Sequence, residues 1–375
     1  MAPPLQQYTM IITTIDIYRL SIPMEPFTIA TGTMHFAQNM FIRVHTSDGL
    51  TGVGECSAFP MIAGETQDTC MVLAKDFALI WKGKDPLHIE DRVQELEKYI
   101  YANRTAKSAF DMALYDIAAK AAGLPLYKFL GGGYAEPESD ITVGIDTAAG
   151  MAARALELMK GRRVNMLKIK LGKDPEDDIQ RMMAIRSAVG PGMKLRVDAN
   201  QGWNLEGAAK ALNGMYDLGI EFCEQPLPKR MDDLLPDLRS RTRIPIMADE
   251  SVFDHYDALR LIKTRACDSI NIKLSKSGGI YEALKIHEVS ASAGIPNMLG
   301  GMLETRLALS ANVHLALACP NIIYYDLDTC LLGHYEDPVV GGLVYDDLKL
   351  KIPDTPGIGA DMDDAWLERC EKLTV

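Results

Sequence analysis

Short apolar runs that each end in a charged side chain recur through the middle of the chain at a nearly constant spacing. The acidic members are Asp198, Glu224 and Asp249, separated by steps of 26 and 25 residues. Lys170 and Lys273 end similar runs on either side, at steps of 28 and 24 residues. One strand, one turn, one helix and one loop fill a period of this length, which is the repeating unit of a parallel α/β barrel. Because side chains at the carboxyl ends of barrel strands point into one cavity, the pattern predicts that these five charges share one site.

The same alternation of strands and helices extends from residue 141 to about residue 335. Eight strands are predicted, a number that closes a barrel. They begin at Ile141, Asn165, Lys194, Ile220, Pro245, Ser269, Ile295 and Asn321. After that the regular spacing stops, and residues 344–352 are predicted to form a final strand that returns to the first domain.

The first third of the chain has a different pattern, which predicts an α+β domain. Strand-like runs cover residues 8–20, 39–44 and 50–54, and a turn at Asp48-Gly49 separates the last two runs. Helical periodicity follows over residues 66–81, 89–100 and 107–122. We therefore predict a capping domain of residues 1–133, completed by about residues 340–375, and a barrel domain of residues 134–339.

Composition narrows the classes of function. The chain of 375 residues is 47% hydrophobic and 24% charged, which supplies enough apolar material for a large core. Its net charge of −12 disfavours binding to nucleic acids or to anionic membrane surfaces. The first residues contain no basic segment followed by a long apolar run, and the seven cysteines include no Cys-x-x-Cys pair. We therefore expect a cytoplasmic protein without a disulfide framework or a zinc ribbon.

The five charges predict a metal-dependent proton transfer. Three carboxylates in one cavity are unfavourable unless a cation joins them, and the hard oxygens of Asp198, Glu224 and Asp249 favour Mg²⁺, with Mn²⁺ as a substitute. Lys170 and Lys273 lie on the predicted second and sixth strands, which face each other across an eight-stranded barrel. One amine can remove a proton that the other replaces, provided that burial and nearby positive charge lower the lysine pKa. The predicted reaction abstracts a proton next to a carboxylate and gives an enediolate.

Five motifs carry a resemblance to a known family. They are Lys168-x-Lys170, Asp198-x-Asn200, Glu224-Gln-Pro, Asp249-Glu-Ser and Ile272-Lys-x-x-Lys276-x-Gly-Gly. In this order they resemble the enolase superfamily and, within it, the muconate-lactonizing subgroup. The resemblance covers nearly the whole chain and implies an α/β fold, a modified TIM barrel of the form (β/α)₇β with an α+β N-terminal capping domain. It also implies Mg²⁺ on the three acids and acid and base roles for the two outer lysines.

An Asp-x-Asp pair at the end of the eighth predicted strand distinguishes between the activities found in this subgroup. Asp326 and Asp328 share one face of the strand because they are two residues apart, and together they form a site for a cation. The pair resembles that of the dipeptide epimerases, in which it holds the free α-ammonium group of the substrate. Lactonizing enzymes and o-succinylbenzoate synthases have no ammonium group to bind there. The preferred function is therefore epimerisation of a dipeptide at its second residue.

Further substrate contacts are expected on the capping loops and at the carboxyl end of the barrel. Residues 26–34 and 59–64 are rich in apolar side chains, and Gly32 matches the position at which epimerases that prefer Ala-Glu carry an arginine. We therefore expect the substrate to have a small or hydrophobic second side chain. Asn200 and Lys276 are expected either to orient the metal ligands or the lysines, or to have packing roles. The expected substrate-binding residues are Lys168, Asp326, Asp328, Gly300, Met302 and Thr31, and for Lys168 a purely electrostatic role is the alternative.

Other functions remain open at this stage. A muconate cycloisomerase, an o-succinylbenzoate synthase or an N-acylamino acid racemase would share the catalytic residues, whereas a Mg²⁺-dependent binding module would need no lysines on both faces. Incorporation of deuterium at the Cα of a dipeptide distinguishes the epimerase from these alternatives. For the epimerase we expect a small-molecule dipeptide as the partner, a homo-oligomer, and no nucleic-acid or membrane partner.

Overall fold

The computed structural model describes residues 10–375, so the first two residues of the strand predicted from residue 8 lie outside the described part. The capping domain opens with an antiparallel sheet in which the first two strands form a long hairpin. Its elements are β1 (Ile12–Ile29), β2 (Gly32–Thr46), β3 (Thr51–Ser57), α1 (Pro60–Ala63), α2 (Gln67–Trp81), α3 (Ile89–Tyr99), α4 (Arg104–Ala121) and α5 (Leu126–Phe129). Helices α2 and α4 bury Phe77, Trp81 and Phe110 against the sheet.

Eight parallel strands follow, and they are hydrogen-bonded in chain order. They are β4 (Ile141–Val143), β5 (Met166–Lys170), β6 (Lys194–Asp198), β7 (Ile220–Glu224), β8 (Ile246–Ala248), β9 (Ser269–Ile272), β10 (Asn297–Gly300) and β11 (Ile322–Asp326). The backbone N–H of Asp140 donates to the carbonyl of Tyr325 at 3.1 Å, which brings the last strand back to the first. The predicted barrel is confirmed, and each predicted strand begins within two residues of the observed start.

The first seven barrel strands are each followed by helix. These helices are α6 (Ala148–Leu158), α7 (Pro175–Val189), α8 (Leu205–Gly214), α9 (Leu235–Arg241), α10 (His255–Thr264), α11 (Leu274–Ser277), α12 (Ile280–Ser292) and α13 (Arg306–Ala318). Three further segments are 3₁₀ turns, at Tyr216–Leu218, Lys229–Leu234 and Thr329–Leu331. Since the last of these follows β11 in place of an eighth long helix, the barrel has the expected (β/α)₇β form.

Polar residues at the ends of the strand-to-helix loops set where the barrel helices begin. Asp174 accepts from the backbone N–H groups of Glu176 and Asp177, and a proline at the first helical position of α7 fits the same start. The side chains of Asn204 and Asp254 cap α8 and α10 in the same way. In the described part of the chain, none of these helices is both long and apolar enough to cross a membrane.

The chain after the barrel returns to the capping domain, but by a different strand from the one predicted. Its elements are β12 (Val339–Gly341), β13 (Val344–Asp346), β14 (Lys349–Lys351), β15 (Ala360–Met362), α14 (Asp364–Leu367) and β16 (Lys372–Thr374). The predicted strand at residues 344–352 is wrong, because Asp347 adopts a φ of 53° and the segment folds back so that β13 pairs with β14. It is β16 that pairs with β1, with Thr374 opposite Asp16.

Buried carboxylates of the capping domain dock onto the N-termini of two barrel helices. Glu55 on β3 accepts from the backbone N–H of Thr305 at 2.9 Å and of Ala308 at 3.1 Å, at the start of α13. Asp111 on α4 accepts from the backbone N–H groups of Ile280 and Tyr281, at the start of α12. The first turn of a helix has unpaired N–H groups and a partial positive charge. Each carboxylate accepts hydrogen bonds from these N–H groups and balances the charge.

Candidate active site

The five charges of the repeating pattern converge on the inside of the barrel. Strand register places Lys170 opposite Asp198, and Asp198 opposite Glu224, at the carboxyl ends of β5, β6 and β7. Asp249 follows β8 directly, and Lys273 follows β9. All five side chains are buried. The two lysines stand on the second and sixth strands of the barrel, so they approach the lumen from opposite sides.

Lys168 lies at the centre of this arrangement and contacts three acids. Its Nζ lies 3.1 Å from Asp198 Oδ2, 2.7 Å from Glu224 Oε2 and 2.6 Å from Asp326 Oδ2. The ammonium group is fully buried. Lys170 Nζ donates to the same oxygen of Asp198 at 2.6 Å. The carboxylates of β6, β7 and β11 therefore surround one shared cation.

The opposite side of the lumen carries a second group of lysines, around Asp249. Lys273 Nζ lies 2.8 Å from Asp249 Oδ2, and Lys276 Nζ lies 2.7 Å from Asp249 Oδ1. The side-chain amide of Asn271 donates to Glu224 Oε1 at 2.7 Å. Lys276 thus holds an acid of the site, as the sequence led us to expect, whereas Asn271 was not anticipated.

Asn200 holds the acid on β6. Its backbone N–H donates to Asp198 Oδ1 at 2.9 Å, and its amide donates to Asp198 Oδ2 at 3.3 Å. Asn200 has a φ of 39°, and Gln225, directly after Glu224, has a φ of 35°. Non-glycine residues in this region are strained, and such strain concentrates where a side chain must be aimed at a site.

Burial and mutual charge shift the pKa values of the acids in opposite directions. Burial raises the pKa of Asp198, but the ammonium groups of Lys170 and Lys168 outweigh it and lower that pKa to about 2. Burial and the charge of Asp198 raise the pKa of Glu224 to about 7. The positive charges of the lysines therefore compensate the negative charge of Asp198 well and that of Glu224 poorly.

Contact with carboxylates raises the pKa of two lysines, Lys168 and Lys273, and for Lys273 this direction is opposite to the lowering that a base requires. Burial lowers the pKa of Lys168, but the carboxylates of Asp326 and Glu224 outweigh it, and the net pKa is raised. Burial likewise lowers the pKa of Lys273, and Asp249 and Glu224 reverse the effect. The physical reason is that both ammonium groups contact carboxylates directly.

Two of the three acids offer oxygens that suit a divalent cation. Glu224 Oε2 and Asp249 Oδ2 are buried and accept no hydrogen bond of good geometry, although each has a lysine ammonium within 3 Å. Both are hard carboxylate oxygens of the kind that Mg²⁺ prefers. An incoming cation would find these two oxygens uncommitted to a hydrogen bond.

The Asp-x-Asp pair lies beside Lys168, together with a third acid that sequence reasoning missed. Asp326 Oδ2 accepts from Lys168 Nζ, and Asp328 Oδ2 accepts from the backbone N–H of Thr142 at 2.6 Å. Asp140, Asp326 and Asp328 each bring a carboxylate oxygen within 4.8 Å of the other two, a spacing that a metal ion also accepts. Asp140 is bound by Arg196, which lies on the same face of β6 as Asp198. The position of Arg196 two residues before Asp198, on the same strand face, was the signal in the sequence that could have identified Arg196 as a residue of the lumen.

The tip of the β1–β2 hairpin rests on the carboxyl end of the barrel. The carbonyl of Thr28 accepts from the backbone N–H of Ile145, after β4, at 3.0 Å. The carbonyl of Ala30 accepts from Lys173 Nζ, after β5, at 2.8 Å. Thr31 forms the exposed turn of this hairpin, so it lies at the rim of the site and contributes no buried contact.

Gly300 and Met302 lie on the Lys273 side of the site. A Cβ added to Gly300 would lie 3.1 Å from Lys273 Cε and 2.8 Å from Asn271 Nδ2, so only glycine leaves room for this lysine. Met302 is buried in an apolar cluster that joins the loop after β10 to the capping hairpin. The other members are Ile22, Met24, Ile29, Ala37, Phe59 and Leu303.

Both parts of the chain match models of one protein family. Residues 12–131 match the model described as "Mandelate racemase / muconate lactonizing enzyme, N-terminal domain", and residues 150–366 match the "Enolase C-terminal domain-like" model. Together the two matches take in the capping domain and the barrel.

Similar proteins of known activity support the same family. A Cytophaga hutchinsonii protein named D-Ala-D/L-Ala epimerase is 42% identical over 98% of this chain and 100% of its own length. A hydrophobic dipeptide epimerase from Enterococcus faecalis is 42% identical over 85% of this chain and 90% of its own length. The crystal structure of the dipeptide epimerase from Cytophaga hutchinsonii with Mg and D-Ala-L-Val superposes with a TM-score of 0.96, at 42% identity, over 97% of this chain and 100% of that one.

Proposed function

The chain belongs to the enolase superfamily, in the group of the mandelate racemases and muconate lactonizing enzymes, and from this premise we propose that it is a dipeptide epimerase. It is an isomerase that moves a proton on and off the Cα of the second residue of a dipeptide. The observation that carries the proposal is the pair Lys170 and Lys273, placed on opposing strands with carboxylates between them.

Lys170 and Lys273 act as the acid and the base. A dipeptide carboxylate held between them presents one face of its Cα to each amine. One lysine removes the proton as a neutral amine, and the other, as an ammonium, returns a proton to the opposite face. General acid and base catalysis supplies about 10²- to 10⁴-fold of rate, so stabilisation of the enediolate charge must supply the remainder.

Asp198, Glu224 and Asp249 are proposed to hold Mg²⁺. When bound, the ion would supply a Lewis acid for the substrate carboxylate, whose charge rises from one to two negative charges as the enediolate forms. Asn200, Asn271 and Lys276 fix the orientation of these acids through the hydrogen bonds described above. Mn²⁺ is expected to replace Mg²⁺, because both take hard oxygen ligands.

Asp326 and Asp328 are proposed to bind the α-ammonium group of the first residue. Both are buried at or just after the end of β11, and Asp326 Oδ2 lies 2.6 Å from Lys168 Nζ, which shares Asp198 with Lys170. A cycloisomerase or synthase substrate has no cation to place against them. This contact favours the epimerase over those alternatives, and also over an N-acylamino acid racemase.

A small or hydrophobic second side chain is proposed for the substrate. A cavity of about 430 Å³ lies between the capping loops and the loop after β10. Its apolar lining includes Met34, Phe36, Phe59, Met61 and Leu303. Gly32 contributes no cation there, and a Cβ at this position would lie 2.8 Å from Met61 Sδ. A strong preference for L-Ala-L-Glu over L-Ala-L-Val would contradict this part of the proposal.

A panel of dipeptides incubated in deuterated water and analysed by mass spectrometry tests the activity. Wild-type protein with Mg²⁺ should place one deuterium at the Cα of the second residue and produce the second diastereomer. Lys273→Ala should abolish the conversion, whereas the control Lys263→Ala, on the exposed side of α10, should retain it. Absence of exchange across the whole panel would refute the epimerase. It is the result that a non-enzymatic binding module predicts.

The cellular setting and the assembly are proposed on separate grounds. All seven cysteines are free thiols, which is typical of a reducing compartment and supports the cytoplasm. We further propose that copies associate into a homo-oligomer, and Val72 and Leu79, exposed on the outer face of α2, are candidate contacts between copies. Gel filtration with light scattering tests the assembly, and a monomeric mass would contradict it.

A further inference from the structure

Three buried carboxyl groups meet next to the catalytic lumen, and only two of them belong to the Asp-x-Asp pair. Asp140, at the start of β4, brings a carboxylate oxygen within 4.8 Å of oxygens of both Asp326 and Asp328. Asp140 is fully buried, and its Oδ1 has no hydrogen-bond partner. A buried carboxylate oxygen without a partner is costly, so its presence calls for an explanation.

The neighbouring cations do not neutralise this cluster. Arg196 binds Asp140 Oδ2 at 2.8 Å, but its Nε also binds Glu221 Oε2 at 2.9 Å. Lys168 is shared between Asp326 and two acids on β6 and β7. Burial and the charge of Asp326 raise the pKa of Asp140, and they raise the pKa of Asp328 to about 7. The cluster therefore has room for one more positive charge.

An ammonium group matches both the charge and the geometry. It has three N–H donors in tetrahedral directions, and hydrogen bonds of about 2.8 Å place their acceptors about 4.6 Å apart. We propose that Asp140, anchored by Arg196, is a third carboxylate that binds the substrate α-ammonium group together with Asp326 and Asp328. This inference rests on the proposed function, because it assigns a further residue to the same substrate group.

Substitution of Asp140 by asparagine tests the inference with two probes that differ only by the amine. The first is L-Ala-L-Val as a substrate, and the second is N-propionyl-L-valine, which lacks the ammonium group, as a competitive inhibitor. Asp140→Asn keeps the shape of the side chain but removes its charge. We expect the KM for L-Ala-L-Val to rise about tenfold and the inhibition constant of N-propionyl-L-valine to change less than about twofold. The value of kcat should stay within about threefold.

A matched control removes a carboxylate outside the cluster. Glu206→Gln, in an exposed ion pair with Arg241, leaves Asp140 and Arg196 in place, so both constants should remain at wild-type values. Equal losses for the two probes in Asp140→Asn would show a merely structural role and overturn the inference. Because both readouts are concentration constants, they do not depend on the fraction of active protein.

Counting bound Mn²⁺ by electron paramagnetic resonance separates the ammonium from a metal ion. We expect the same number of bound ions per chain in the wild type and in Asp140→Asn. A second ion that binds the wild type and is lost in Asp140→Asn would assign the cluster to a metal and overturn the inference. Failure of the epimerase proposal is distinct, since wild-type protein would then turn over no dipeptide.

Discussion

Single side chains decide how the buried charge of the lumen is balanced. Lys168 is fully buried and contacts Asp198, Glu224 and Asp326, so it connects the acids proposed for the metal with the acids proposed for the ammonium group. Removal of one of these charged groups leaves the remaining buried charges uncompensated in a low dielectric. The cost in free energy is larger than the loss of one contact. A substitution here should therefore change more than one binding event.

Glu224→Gln should weaken Mg²⁺ binding strongly. It removes the charge and one oxygen from an all-carboxylate ligand set, so the loss should exceed the roughly 10- to 100-fold that follows loss of an outer hydrogen-bond partner. Isothermal titration with Mg²⁺ or Mn²⁺ measures it. The matched control is Glu221→Gln on the same strand, which should bind the ion as the wild type does. Unchanged affinity in Glu224→Gln would remove this acid from the metal site.

The sequence predicted the lumen at the residue scale wherever spacing and strand parity carry the information. The five repeating charges, Asn200 and Lys276 lie together because strand ends in a barrel share one cavity. Asp140 and Arg196 were missed because each looked like an ordinary member of its own segment, and only the closure of β11 against β4 brings them to the Asp-x-Asp pair. The pKa of Lys273 is raised rather than lowered because the carboxylates of Asp249 and Glu224 lie close to its ammonium group.

At the scale of elements, the capping domain is attached through the ends of barrel helices. Glu55 and Asp111 accept from the first turns of α13 and α12, which follow the strands that carry the Gly300 and Lys273 side of the site. Asn39 adds a hydrogen bond from its amide to the carbonyl of Leu303 at 3.0 Å. Hence the segments that follow the Gly300 and Lys273 strands also bind the capping domain.

Glu55→Gln should destabilise the fold by about 1–3 kcal/mol, because an amide places N–H donors against the donors of α13. Glu55 Oε2 accepts from the hydroxyl of Thr305 at 2.6 Å and from the N–H of Ala308, and one of these contacts becomes a donor facing a donor. Urea unfolding measures the difference in free energy. Glu368→Gln, on the exposed surface, is the control and should have no effect. Equal stability of Glu55→Gln and wild type would refute the docking role.

Strands and helices with a strong local pattern of apolar residues were predictable. Strands whose pairing depends on a distant segment of the chain were not. The barrel strands were placed within two residues because each is a short apolar run of fixed spacing. Residues 344–352 have the same local pattern as a sheet strand, but the turn at Asp347 makes the segment its own partner. The pairing of β16 with β1 joins residues at opposite ends of the chain, which no local pattern encodes.

At the scale of the whole molecule, buried carboxyl groups at the domain junction make stability depend on pH. Burial raises the pKa of Glu55 from 4.5 to about 7 and that of Asp111 from 3.8 to about 8. The folded protein therefore binds these protons more tightly than the unfolded chain does. Their contribution is fully present below the unfolded pKa values and is lost as the pH rises through the folded ones.

The free energy of unfolding should consequently fall between about pH 4 and pH 8 by the amount due to these two groups. Urea denaturation across this range measures it in the wild type and in Asp111→Asn. Removal of one titrating group should flatten the profile, whereas a surface substitution such as Glu368→Gln should leave its slope intact. A profile in Asp111→Asn as steep as that of the wild type would show that this carboxyl group does not bind the proton.

We propose that one proton is exchanged at a single Cα by two lysines on opposite faces. The most direct test of this proposal is stereospecific deuterium exchange by Lys170→Ala and Lys273→Ala, each incubated with the separate L,L and L,D diastereomers of one dipeptide in deuterated water. Each variant should lose epimerisation by at least about 10²-fold, yet retain exchange with one diastereomer only, and the two variants should retain opposite ones. Retention of the same diastereomer by both variants, or of full epimerisation by either, would contradict the account.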